Sequence, residues 1–373
     1  MIGAAGAVLG PHPAERPDAT RFAGLRAWPA RVLLAGLLCL IALGLVLAAR
    51  PDAVTMRTVS PDRSDVLLYK RIAERVAAGD AYYRAATEEQ RANGYPLRPF
   101  VTVRLPTLAW LQASLGPTGI RLALCGLLGV AWLAFRRRLA ATLPPGGVLS
   151  GASVLAAAGL LPLLSAALPY VHEAWAGGLI LLSLALRTRE RWVAAFLVGL
   201  FAAAIRELAV PYLCAMAALA LVEGRRRESA AWAGAVAAAA AGIAAHAAAV
   251  SGYVTALDPA SPGWASAGGW SFILSMVLNG TVMILTPAPV IAVAVPLCLL
   301  GWAAWPAPLG PRACLVLGGY VAAFTLIGRP DNAYWGLLLG PLLLPGLALA
   351  PRALRDLGAA ACGAAGPQPA LAV

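Results

Sequence analysis

A handful of side chains in this 373-residue chain are equipped for chemistry. Asp65 heads the run Asp65-Val66-Leu67-Leu68-Tyr69, in which Val66, Tyr69, Ile72, Ala73 and Val76 recur at helical spacing. A carboxylate there could take a proton from an attacking hydroxyl. Acids also favour a first helical turn through the macrodipole, and Asp62 shares that turn. Glu173, in His172-Glu173-Ala174-Trp175, and Glu207, in Arg206-Glu207, sit in strongly apolar surroundings. An ionisable group at membrane depth is costly enough to be a functional hypothesis by default. The plainer reading makes Glu173 a helix cap and Glu207 the ion-pair partner of a neighbouring arginine. His172 could be a second base or an orienter, and with no second histidine near it in sequence it does not suggest a metal ligand. In Gly328-Arg329-Pro330-Asp331-Asn332-Ala333-Tyr334-Trp335, Arg329 could grip a phosphate through its forked donors or could snorkel at an interface. The density of polar groups, Asp331 and Asn332 among them, favours the phosphate role.

The elements that position these residues belong to a membrane protein. Hydrophobic residues make up 60% of the chain and charged ones 12%, against about 25% charged in soluble proteins, and mean hydropathy is +0.76. Apolar runs fall at 31–49, 118–135, 147–168, 174–186, 192–222, 229–250, 288–305, 312–328 and 334–350, with two interrupted ones at 101–115 and 270–286. The net charge of +12 is almost wholly arginine, and arginine collects in cytoplasmic loops. The clusters at 136–138, 187–191 and 225–227 all fall inside only if neither interrupted run spans and if 192–222 is two short helices meeting at an outer tip near Arg206, Glu207 and Pro211. The expectation is an all-α polytopic protein with about ten transmembrane helices: a cytoplasmic tail over 1–30, a single transmembrane domain over 31–350 and a cytoplasmic tail over 351–373.

Residues 50–104 then form a large first outer loop with amphipathic helix lying on the membrane. Ser60-Pro61 reads as its N-terminal cap, Gly79 as its end, and Tyr82-Tyr83 as interfacial anchors. The first apolar run reads as a retained anchor. The six cysteines show no CxxC and no metal spacing. No DxD, GxxxxGK[ST], GxGxxG opening a helix, HExxH or GxSxG motif occurs, and no basic patch with interleaved aromatics suggests nucleic acid. No cofactor or metal is expected.

These features resemble the GT-C superfamily of integral-membrane glycosyltransferases, and within it the bacterial mannosyltransferase-like group around glycosyltransferase family 87. Asp65 to Tyr69, followed by Gly79-Asp80-Ala81-Tyr82-Tyr83, resembles that family's Asp-x-x-x-Tyr helix and Gly-x-x-x-Tyr turn. Arg104-Leu105-Pro106, His172-Glu173 and Arg206-Glu207 are similar to its polar turns around the active site, and Gly328 to Asn332 to its late arginine loop. The resemblance implies a polyprenyl-phosphate sugar as donor, carrying a hexose such as mannose, or a pentose, and an envelope glycolipid or glycan as acceptor. Transfer would be inverting, at the periplasmic face of the bacterial inner membrane, without metal. It makes Asp65 the general base, with Asp62 and Asp80 as competing assignments. Arg329, with Arg206, would steady the phosphate, and Tyr69, Arg104, His172, Glu173, Glu207, Asp331 and Asn332 would line the substrates. No acceptor-binding soluble domain is expected after the last run. A transporter or flippase of a lipid-linked sugar would use the same arginines and acids without chemistry. A scaffold subunit would have little use for buried Glu173 and Glu207.

Overall fold

A computed structural model of the chain describes residues 19–50, 54, 65–263 and 266–364. Ser60, Pro61 and Asp62 lie outside the described residues. The described residues are 79% helical, with no strand among them. Its helices are α1 (Ala27–Ala48), α2 (Asp65–Ala77), α3 (Tyr82–Ala92), α4 (Thr107–Ala140), α5 (Gly147–Leu160), α6 (His172–Leu186), α7 (Val193–Ile205), α8 (Val210–Val222), α9 (Arg226–Ser251), α10 (Gly269–Gly280), α11 (Ala288–Ala304), α12 (Leu309–Ile327), α13 (Gly336–Leu343) and α14 (Gly346–Ala361).

By length and composition, five helical stretches among the described residues could cross a membrane: α1, Phe100–Ala140, Gly147–Leu164, α9 and α12. Pro330–Leu343, which ends in α13, and α14, bent by 66°, add a sixth if taken as one span. The apolar α6, α7, α11 and Glu207–Val222 are shorter. The outward faces match this composition. Val32, Leu33, Leu38, Leu43 and Val46 of α1 are all exposed, a surface that suits hydrocarbon and would be a liability in water. The centre belongs to α6, buried from His172 to Ala185 and packed by α4, α7 and α13.

The two interrupted runs resolve differently. The stretch 101–115 does not stand apart from 118–135: α4 runs through both and kinks at Gly116 (φ 66, ψ 176). Glycine tolerates that positive φ, and Pro117, at the start of the second segment, lacks a donor where none is needed. The other run becomes α10, which dips into the bundle and returns. Its entry lies beside α12's end, where Ala267 N–H donates to the Leu326 carbonyl at 3.2 Å. The start of α11 packs Ala292 on Gly44, near α1's end at the same side. Inside, Gly280 and Gly336 bring α10 and α13 into backbone contact, so that a Cβ on Gly336 would overlap the Met276 carbonyl and crowd the Gly280 Cα.

The outer helices are docked on protein, where the sequence suggests a membrane surface. Leu68 and Ile72 of α2 form a small core with Tyr82, Ala86, Leu97, Val103, Ala109 and Val250, since α2 packs on α4. Gly79 (φ 100) ends the α2 turn, and Tyr82-Tyr83 opens α3 with Tyr82 buried. Arg75 clamps the pair, donating Nε to Asp80 Oδ2 at 2.7 Å and Nη2 to Glu88 Oε2 at 2.6 Å. At the opposite end of the bundle Arg187 bonds Glu228 and Glu223 at 2.7–2.9 Å, and Glu223 also takes Arg312.

Overpacking a tight core contact costs about 1–3 kcal/mol. Gly336→Ala is therefore expected to lower the unfolding temperature of the detergent-solubilised protein, whereas Gly234→Ala, with open space around its Cβ position, leaves it unchanged or raises it. Equal unfolding temperatures for wild type and Gly336→Ala would show that the α10–α13 contact is looser than described.

Candidate functional site

The site grows from a break in the apolar run 192–222. The end of α7 gives way at Arg206, whose backbone is extended (φ −144, ψ 117). A single 3-10 turn, Glu207–Ala209, then leads into α8. Pro211 sits in the first turn of α8, where its missing donor is harmless. The hydroxyl of Tyr320 on α12 donates to the Leu208 carbonyl at 2.7 Å and pins the tip. Turned back into the bundle, Arg206 donates Nε to Glu173 Oε1 at 2.7 Å and Nη1 to Glu207 Oε1. The side chains of Arg206 and Glu173 are 2% and 1% exposed. Glu173 lies in the first turn of α6 but makes no cap there, so its place is set by the arginine.

A second guanidinium lies above the first. Arg104, just before α4, is anchored by its own carbonyl, which accepts from the Tyr82 hydroxyl at 2.6 Å. Its Nε donates to the Tyr69 phenol at 2.9 Å and its Nη2 to the Tyr334 phenol at 2.8 Å, while its Nη1 stands 4.0 Å from Glu207 Oε1. Tyr69 lies one helical turn after Asp65 and sets its ring edge against His172, with centroids 5.0 Å apart. Burial pushes the Tyr69 phenol well above its ordinary value; Arg104 pulls it back, and Asp65 pushes it further up. Arg104, always charged, is thus held chiefly by neutral oxygens, with Asp65 one helical turn before one of them.

Between α2, α3, the start of α4 and His172 lies a narrow cleft that Arg104, Tyr69, Tyr82, Thr102 and Gln112 help to line. Gln112 and Trp175 both donate to the Pro169 carbonyl, at 3.0 and 3.1 Å, and fix the turn before His172. Among the described residues no group of three or more His, Cys, Asp or Glu could hold a metal ion.

Asp65, Tyr69, Arg104, His172, Glu173, Arg206 and Glu207 thus converge from four separate parts of the sequence. Of the two competing acids, Asp80 is engaged by Arg75 and Asp62 is not described. Arg329 does not join the other arginines. It donates to Asp331 at 3.0 and 2.5 Å, to Ser261 Oγ at 3.1 Å and to the Pro262 carbonyl at 2.7 Å. That loop instead delivers Tyr334 to Arg104, while Asn332 is buried beside it in the 3-10 turn Pro330–Trp335. Tyr334, Thr102 and Gln112 are members of the site that sequence reasoning missed, and Tyr82 was read there only as an interfacial anchor and part of the turn after Gly79. The clustering of Tyr334 with Arg329 and Asn332 offered a signal; Thr102 and Gln112 offered none.

Removing one member of a buried ion pair costs about 3–5 kcal/mol because the other charge is left uncompensated. Arg206→Gln is expected to reduce folded yield and unfolding temperature strongly, and Glu173→Gln added to it should restore part of the loss; an Arg206→Gln protein as stable as wild type would contradict the pairing. Comparison with known proteins finds no match to a family model, a curated protein or a solved structure, and the functional reading rests on these residues.

Proposed function

We propose that the protein is a membrane glycosyltransferase of the GT-C kind, moving a sugar from a polyprenyl-phosphate donor to a hydroxyl of an envelope glycolipid or glycan. The observation that carries this reading is a buried cation, Arg104, whose direct partners are phenols, at the end of an apolar bundle where a docked outer helix carries Asp65 one turn before one of those phenols. Arg104 is the better phosphate holder than Arg329, because a phosphate can replace two neutral oxygens on its fork without expelling a carboxylate. The other arginine of the pair, Arg206, is already bound to Glu173 and Glu207.

The chain then crosses the inner membrane ten times: α1, α4 to α9, α11, α12 and the bent pair α13 and α14, with α10 re-entrant. The arginine clusters at 136–138, 187–191 and 225–227 lie at the end away from the cleft, which the positive-inside rule assigns to the cytoplasm. The cleft accordingly faces the periplasm. In the reaction the acceptor oxygen attacks the anomeric carbon from the face opposite the phosphate. The bond from that carbon to the phosphate oxygen breaks, and the acceptor proton passes to Asp65. Polyprenyl phosphate leaves with the bonding electron pair, its added charge met by Arg104.

Positioned general bases contribute about 10²–10⁴-fold. In proteoliposomes supplied with radiolabelled polyprenyl-phosphate sugars and extracted envelope glycolipids, Asp65→Asn is expected to lower transfer by a factor in that range while donor binding persists. Arg104→Gln should weaken transfer by about 10²-fold or more, as loss of one charge-stabilising donor does. Undiminished transfer by Asp65→Asn would sink the base assignment. Broken helices at Arg206 and a re-entrant α10 also occur in transporters; donor crossing the bilayer at equal rates in both proteins, with no label in any acceptor, would replace this reading by a flippase.

A further inference from the structure

The end of the bundle away from the cleft carries a cation whose pairing is incomplete. Its arginine clusters have few acids to meet them: Glu190, Glu223 and Glu228. Glu223 and Glu228 are taken by Arg187, Arg225 and Arg312. Glu190 is exposed and makes no ion pair among the described residues. In the last turn of α4, Arg136 and Arg137 are exposed and water solvates them, but Arg138 is half-buried and its Nε lies out of solvent with no hydrogen-bond partner. The helix dipole favours cations in a last turn. It accounts for arginines at that end of α4, not for a covered N–H without an acceptor, which costs stability until one reaches it.

Helix register sets what surrounds this guanidinium. Both α4 and α6 start at the cleft, where Gln112 and Trp175 share the Pro169 carbonyl, and they run side by side. A Cβ on Gly178 of α6 would meet the side chains of Leu127 and Leu128 of α4. Eleven residues make about three turns, so the face that carries Leu127 returns at Arg138, and the same advance along α6 passes its end at Leu186 into the turn of Arg187 and Arg189. Arg187 has its fork filled by Glu228 and Glu223, and Arg189 is exposed. Toward the middle of the bundle, Val130 and Leu133 of α4 and Val193 and Leu197 of α7 are all exposed, an apolar surface that suits acyl chains. Trp192, at the start of α7, is a residue type that settles at headgroup level.

We infer that Arg138, with Arg189, forms a site for the headgroup phosphate of an anionic membrane lipid at the end of the bundle opposite the cleft. Arginine takes phosphate through its forked donors, and the lipid supplies the acceptor that the protein's own acids do not. A cation placed at the head of an exposed apolar surface matches a molecule that is charged at one end and hydrocarbon at the other. A soluble anion would use the cation alone. The site shares no residue with the proposed transfer chemistry, so either can fail without the other.

The test is native mass spectrometry of the full chain released from detergent micelles, titrated with phosphatidylglycerol and, in parallel, with phosphatidylcholine of the same acyl chains. Wild type is expected to bind phosphatidylglycerol in preference. Arg138→Gln should weaken that binding about tenfold or more, the scale of a lost hydrogen bond between charged groups. Arg227→Gln removes the same charge from an exposed position at the same end and should leave the affinity within about twofold, since water and salt screen it. Unfolding temperature gives a second readout. In lipid-free detergent Arg138→Gln is expected to match or exceed wild type, because it removes a cation that has no partner; added phosphatidylglycerol then stabilises wild type and not the variant. Equal phosphatidylglycerol affinity in wild type and Arg138→Gln, an equal loss in Arg227→Gln, or equal binding of phosphatidylcholine would overturn the site. So would a lipid-free Arg138→Gln protein less stable than wild type, which would reveal a partner within the protein. Inorganic phosphate that reproduced the stabilisation would overturn the lipid as occupant.

Discussion

The ion pair between Arg206 and Glu173 is the constraint on which the rest of the architecture depends. Two charges lie almost wholly out of solvent in a bundle of apolar helices, where an isolated charge of either sign would be severely penalised. Satisfying the guanidinium requires the α7–α8 run to break where it does, so that the side chain can turn back toward α6. It also requires α6 to begin at His172, so that Glu173 stands in the first turn. The extended residue at 206, the short turn 207–209 and the proline at 211 are the local means to that end. Once Arg206 is fixed, Glu207 is held on the same fork and presents its carboxylate toward Arg104.

Three distant segments meet at Arg104. The helix α2 brings Tyr69, the turn after α12 brings Tyr334, and α3 supplies the Tyr82 hydroxyl that holds the arginine backbone. His246 of α9 adds a tie from outside, its Nε2 3.0 Å from the Val103 carbonyl and its Nδ1 3.2 Å from the Tyr83 hydroxyl. Arg91 of α3 forms a two-pronged bond with Asp258 in the loop after α9. The outer helices are therefore not a loose lid. They are fastened at several points to helices far apart in sequence, which fixes where Asp65 can stand relative to the guanidinium.

Much of this was legible in the sequence, for identifiable reasons. Local periodicity marks α2 and its end at Gly79, and charged residues in apolar runs mark Glu173, Arg206 and Glu207, because charge burial is expensive wherever the chain folds. The proline at 211 and the arginines at both ends of 192–222 locate the break. What stayed hidden depends on distant partners. A turn containing Arg329, Asn332 and Tyr334 gives no hint that the tyrosine reaches Arg104 while the arginine is taken by Asp331 and the 261–262 backbone. Likewise an amphipathic stripe on α2 says that one face is buried, not that α4 covers it in place of lipid. The continuity of α4 hinges on Gly116 adopting a positive φ, a choice that composition leaves open.

The two ends of the bundle use the same residue types for opposite purposes. Away from the cleft, each of the buried arginines is closed by carboxylates: Arg187 by Glu228 and Glu223, and Arg312 by Glu223. A charged ligand could enter that network only by expelling an acid from its partner, so its role is to lock α6, α8, α9 and α12 together. At the cleft, Arg206 is closed in the same way but Arg104 is not. Its two shortest contacts are to phenols, and the nearest carboxylate oxygen stands 4.0 Å away. Arginine binds carboxylates and phosphates alike through two parallel bonds between opposite charges, which a neutral phenol cannot match. On the proposed reading, a phosphate would therefore displace a phenol at Arg104, whereas it would gain nothing against a carboxylate at Arg187. The difference between a structural and a chemical arginine in this protein lies in what its partner is, and only at the end where Asp65 stands is that partner replaceable.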